Sequence, residues 1–141
     1  MGEKLESPEE AVARCREALG RYSRHSSPEV WAVAQNNLGV ALLELANAIE
    51  GTDLVEEAIA AFRQALRVWT PERTRRDWEI TQNNLASALV ELGMREKRPR
   101  IAIEILKEGV LACDAVREPR SHLERVVAWL RSCRRRFAAM L

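Results

Sequence analysis

The sequence predicts an all-α protein assembled from repeated helical hairpins, and three observations carry that expectation. The first is composition: of 141 residues only 5 are Pro and 6 are Gly, while 47% are apolar and 30% charged. A β protein requires more turn residues than this. The second is periodicity. Ala58, Ile59, Phe62, Ala65, Leu66 and Trp69 fall on one stripe of a 3.6-residue helix. The third is repetition. Trp31-Ala-Val-Ala-Gln35-Asn36-Asn37-Leu38-Gly39-Val-Ala41-Leu42 returns 47 residues later as Trp78-Glu-Ile-Thr-Gln82-Asn83-Asn84-Leu85-Ala86-Ser-Ala88-Leu89.

Six helices are expected, near 8–22, 28–49, 53–69, 75–94, 99–116 and 120–139. The first opens on Ser7-Pro8-Glu9-Glu10, a capping Ser followed by Pro at the first helical position. Its apolar pattern is Ala11-Val12…Cys15…Ala18-Leu19. The second opens the same way on Ser27-Pro28-Glu29 and carries the stripe Trp31, Leu38, Leu42, Leu45 and Ile49. The third starts at Thr52-Asp53 and stops at Thr70-Pro71, because the residue before Pro is pushed out of helical conformation. It repeats the pattern of the first as Ala58-Ile59…Phe62…Ala65-Leu66, 47 residues on. The fourth is the second copy of the Trp block. The fifth repeats the pattern again as Ala102-Ile103…Leu106…Gly109-Val110, now 44 residues on, the contraction falling between Gly93 and Pro99. The sixth follows Glu118-Pro119 and carries the stripe Leu123, Val126, Leu130 and Phe137.

These blocks resemble the tetratricopeptide repeat family, whose unit is a helical hairpin of about 34 residues. Leu38-Gly39…Leu42 and Leu85-Ala86…Leu89 are similar to the first-helix signature; Ala58…Phe62…Ala65 and Ala102…Leu106…Gly109 are similar to the second. The longer period and the Asn-Asn-Leu-Gly run resemble the long bacterial variants. The length of 141 residues fits a single domain over 1–141; the resemblance covers residues 8–116 and implies a right-handed superhelical array with the last helix as a cap. Small residues at Gly39/Ala86, Ala58/Ala102 and Ala65/Gly109 are the positions where helix axes come close. The family also implies a non-enzymatic scaffold or adaptor that binds a peptide or helix of another protein in a groove.

Several classes are excluded. Lys plus Arg is 22 and Asp plus Glu is 21, so the chain is neither a globally basic nucleic-acid binder nor an acidic tail protein. The three cysteines, Cys15, Cys113 and Cys133, show no CxxC or zinc-ligand spacing, so no metal or cofactor is expected. Cys15 aligns with Phe62 and Leu106, and Cys113 with Trp69, which makes both buried structural thiols; Cys133 lies near the apolar face of the last helix. His25 and His122 lack partners at ligand spacing. No phosphate loop, HExxH or GxSxG is present, and no apolar run approaches a membrane span of about 20 residues. A reducing, cytoplasmic setting without catalytic function is the expectation.

The candidate binding positions lie opposite the apolar stripe. At about 100° per residue with Leu38 at zero, Leu43 falls near 140°, Asn36 near 160°, Val40 near 200° and Val33 near 220°. The next repeat matches with Ile80, Asn83, Ser87 and Val90, and Glu44 and Glu91 stand at the margin. The resemblance makes this face the groove, and an Asn amide both donates to and accepts from a peptide backbone. The competing reading of the same positions is packing against an adjacent helix, with local bonds for the two Asn. Trp31 and Trp78 are expected in packing between units, and Gln35 and Gln82 beside them. Carrying the 44-residue phase into the last helix puts Arg131, Arg134 and Arg135 on the groove side, suited to an acidic peptide, a C-terminal carboxylate or, as a remoter reading, nucleic-acid phosphate. Self-association through the first and last helices, or continuation of a longer array, is the alternative to partner docking.

Overall fold

The computed structural model describes residues 5–116 and the isolated positions Glu124 and Ala128. Among them are five α-helices and no strand: α1 (Pro8–Arg21), α2 (Pro28–Ala46), α3 (Asp53–Ala65), α4 (Arg75–Arg95) and α5 (Pro99–Val116). Of the expected sixth helix only Glu124 and Ala128 are described, both helical; Arg131, Cys133, Arg134 and Arg135 lie outside the described residues.

Each helix packs on the next in chain order, and α2 also touches α4. Side chains fix the directions. Trp69, just past α3, donates its Nε1–H to Glu29 at the start of α2 (3.1 Å), so α2 and α3 are antiparallel. Arg95, the last residue of α4, reaches the Ala46 carbonyl at the end of α2 (3.0 Å), so α2 and α4 run parallel.

The capping signal at α1 is realised in full. Ser7 Oγ accepts from the Glu10 N–H at 3.2 Å while the Glu10 carboxylate accepts from the Ser7 N–H at 2.9 Å, satisfying two donors that the helix leaves orphaned. Ser27 makes no such bond; the α1–α2 turn is instead closed by Ser23 and Ser26, whose hydroxyls lie 3.0 Å apart. Two helices stop short of the expected ends near 49 and 69. Their last turns tighten, with Ile49 N–H bonded to the Ala46 carbonyl at 3.3 Å and Val68 N–H to Ala65 at 3.0 Å. Gly51, at φ +119°, then turns the chain into α3, a conformation that side chains resist.

The main core gathers Val12 and Cys15 of α1, Leu38 and Leu42 of α2, Val55, Ile59 and Phe62 of α3, and Leu85 and Leu89 of α4. The six small positions Gly39, Ala58, Ala65, Ala86, Ala102 and Gly109 are all buried. At Gly39 the fit is closest: a Cβ there would lie 2.5 Å from the Phe62 ring. A second cluster joins Ala32, Ala65, Val68 and Trp69, with Trp31 and Trp78 half-buried against it, the packing role expected of the repeated tryptophans. Cys15 is 3% exposed and burial pushes its thiol up from the ordinary range, the neighbouring Arg14 opposing weakly. Brief iodoacetamide treatment of the native protein should therefore leave Cys15 unlabelled by peptide mapping, with labelling complete in denaturant. Equal rates in the two conditions would contradict its place in the core.

The third unit departs from the expected phase. Arg16 of α1 pairs with Glu57 of α3 at 2.7 Å, and 47 residues on Arg63 of α3 pairs with Glu108 of α5, which is 51 residues past Glu57 and not 44. A Cβ on Gly93 would meet Leu106 at 2.6 Å, and their counterparts 47 and 51 residues earlier, Ala46 and Val55, share the main core. Gly109 lies against Leu89 and Val90, and its counterpart at that spacing, Ala58, shares the main core with Leu42. The residues support this register too, since Glu56-Glu57-Ala58-Ile59 matches Lys107-Glu108-Gly109-Val110. Leu106 thus stands in the place of Val55, not of Phe62; the side chain of Cys113, expected in the core, lies outside the described residues. The two phases, 51 and 44, differ by seven residues, two helical turns. Both bury the same stripe, and they differ only by a slide of about 10 Å along the axis.

Candidate partner-binding face

α2 is held by α1 and α3 and flanked by α4, so three neighbours divide its circumference. With Leu38 at zero, its buried side runs from Ala41 near 300° round to Ala32 near 120°. On the remaining arc Val33, Glu44 and Asn37, between about 220° and 260°, are exposed, with half-buried Val40 at its edge near 200°. The expected arc was centred some 50° away, opposite the apolar stripe, which supposes neighbours on one side only.

The expected positions separate accordingly. Val33 and Ile80, equivalent residues on parallel helices, are 47% and 46% exposed, and Val30 beside them is 46% exposed. Val40 and Leu43 are half-buried and pack against the main core. Asn36 belongs to the seam between α2 and α4: its Oδ1 accepts from Thr81 Oγ1 at 3.2 Å and from Asn84 Nδ2 at 3.1 Å, and Thr81 is fully buried. For Asn36 the packing reading holds. Asn83 and Ser87 are half-buried and each is engaged by a neighbouring group. Val90 is fully buried in a cluster with Leu106 of α5 and lines no open face, because Gly109 lets α5 lie close against it. Val30 and Asn37 are exposed beside the expected positions, and Glu44, expected at the margin, is exposed with them. The signal for them was the alanine flank, Ala32 on one side and Ala34 and Ala41 on the other, small residues that mark where helices approach.

The face has a simple chemistry. Exposed β-branched side chains sit toward the N-terminal ends of α2 and α4, the amide of Asn37 follows, and the carboxylates of Glu44 and the half-buried Glu91 lie toward the C-terminal ends. Arg95 locks that end. Its guanidinium donates to Glu91 at 2.7 Å and to the carbonyls of Ala46, Ile49 and Gly51, at and just past the α2 C-terminus, at 3.0 to 3.2 Å.

Two clefts lie elsewhere. One of about 790 Å³ is formed by Asn47–Thr52 and Arg95–Arg98, and there Arg98 bonds Glu96 and holds its carboxyl down at about 2. Another of about 440 Å³ runs between α3 and α5 over Leu89 and Leu92. Among the described residues no three His, Cys, Asp or Glu stand together to hold a metal, and no helix is long and apolar enough to cross a membrane. No family model, curated protein or solved structure matches the chain.

Proposed function

We propose that the chain is a non-enzymatic interaction module of the tetratricopeptide type, a right-handed array of hairpins that docks a segment of another protein on the joint face of α2 and α4. The carrying observation is the pair Val33 and Ile80, together with Val30: nearly half-exposed β-branched side chains on two parallel helices held in register by the Asn36–Thr81–Asn84 bonds. Large apolar side chains grouped at the surface on a rigid scaffold mark interaction sites.

Self-association through α1 is the weaker reading. The outer residues of α1 are charged and ion-paired, Arg14 with Glu6 through two bonds of 2.8 and 2.9 Å, Arg16 with Glu57 and Arg21 with Glu17. Such a surface is content in water.

The double variant Val33→Ser/Ile80→Ser tests docking. Both sites are exposed, so melting should move by no more than about 2 °C. Proteins captured from the native source by the parent chain and quantified by mass spectrometry should include a set that this variant loses. Identical captured sets would overturn the assignment of the face. Light scattering at high concentration covers the alternative, since a dimer abolished by the same variant would make the occupant a second copy.

A further inference from the structure

The two equivalent carboxylates of the face are treated differently by the fold. Glu91 of α4 is neutralised by Arg95, one turn on, at 2.7 Å. The residue in that place after Glu44 is Ala48, and the last turn of α2 holds no basic residue. Indeed α2 contains neither Lys nor Arg. Its other acid, Glu29, already accepts from Trp69, and the Arg95 fork is spent on Glu91 and on main-chain carbonyls. Glu44 is exposed, takes part in no ion pair among the described residues, and sits at the negative end of the α2 dipole, where a carboxylate is disfavoured and a cation is welcome.

Resting on the docking reading above, we propose that the partner is an extended segment that sets a Lys or Arg against Glu44 and apolar side chains against Val33 and Ile80. Asn37, exposed midway, offers an amide that both donates and accepts; an extended main chain has groups to match it, whereas a helix has satisfied its own. The spacing follows from geometry. Val33 and Glu44 are 11 residues apart on α2, about 16 Å, a length that an extended chain covers in about five residues. The recognised segment is therefore apolar with a single cation about five positions away.

Selection from a random displayed-peptide library on the full chain tests this. Enriched sequences should share an apolar pair and a Lys or Arg about five residues distant. Measured by anisotropy, a selected peptide should lose at least about tenfold in affinity to Glu44→Lys and about threefold to Glu44→Gln, and a peptide with Glu in place of its cation should bind Glu44→Lys best. Peptides that lose affinity to Val33→Ser/Ile80→Ser yet ignore Glu44→Lys would overturn the charge assignment and leave the face standing. Enriched peptides indifferent to all these variants, or no enrichment, would overturn both.

Discussion

Gly39→Val is expected to destabilise the protein by about 2–3 kcal/mol and to lower Tm by roughly 5–10 °C in thermal unfolding followed by circular dichroism. The reason is steric and local. A Cβ on Gly39 would come within 2.5 Å of the Phe62 ring, and Phe62 is fully buried, so the ring has no solvent to turn into. Exposed helical Gly would instead gain several tenths of a kcal/mol from replacement by a better helix former, so the sign of the effect separates the two situations. Phe62→Leu alone should cost about 1 kcal/mol through lost packing. The double variant should cost less than the two singles added, because the smaller side chain gives the new methyls room; simple additivity would show that Gly39 and Phe62 are not in contact.

Arg95→Ala is expected to cost about 2 kcal/mol, with amide exchange accelerating across residues 47–52 more than at Leu38 or Phe62. The substitution removes donors from three carbonyls at and just past the end of α2 and takes the guanidinium away from the Glu91 carboxylate. Hydrogen bonds to charged donors contribute about 1.5–3 kcal/mol each when shielded; the Arg95 side chain is 21% exposed, which discounts the sum toward one such bond. Arg95→Lys should recover little, since a point charge cannot span Glu91 and three carbonyls as a planar fork does. A variant as stable as the parent, with unchanged exchange in 47–52, would remove Arg95 from this role. The two effects act on different contacts of α2, so they should add.

Much of this architecture was legible residue by residue. The Ser7-Pro8-Glu9-Glu10 capping signal rests on interactions within one turn and is found in place; Cys15 at the Phe62 position and the six small residues lie on the inward stripe of their helices, which period alone gives, and all are buried. Two things were not legible. The phase of α5 admits 51 or 44 because seven residues are two turns, and the buried stripe is the same in both. Beyond α5 the residues themselves favour the longer step, since 51 carries Trp78 to Trp129 whereas 44 carries it to His122. The exposed arc of α2 lies about half a residue's rotation from the expected one, so that Asn37 faces solvent while Asn36 turns into the seam with α4.

What the sequence determined by itself is the five helices of the described residues, the stripe each turns inward and the repetition of the two Trp-bearing copies, because hydrophobic period and capping are properties of short segments. Only the tertiary structure decided how far α5 slides along α4 and which arc of α2 faces water. Those depend on how many helices surround a given one and where a ring such as Phe62 meets a glycine, and periodicity carries no information about a translation along its own axis.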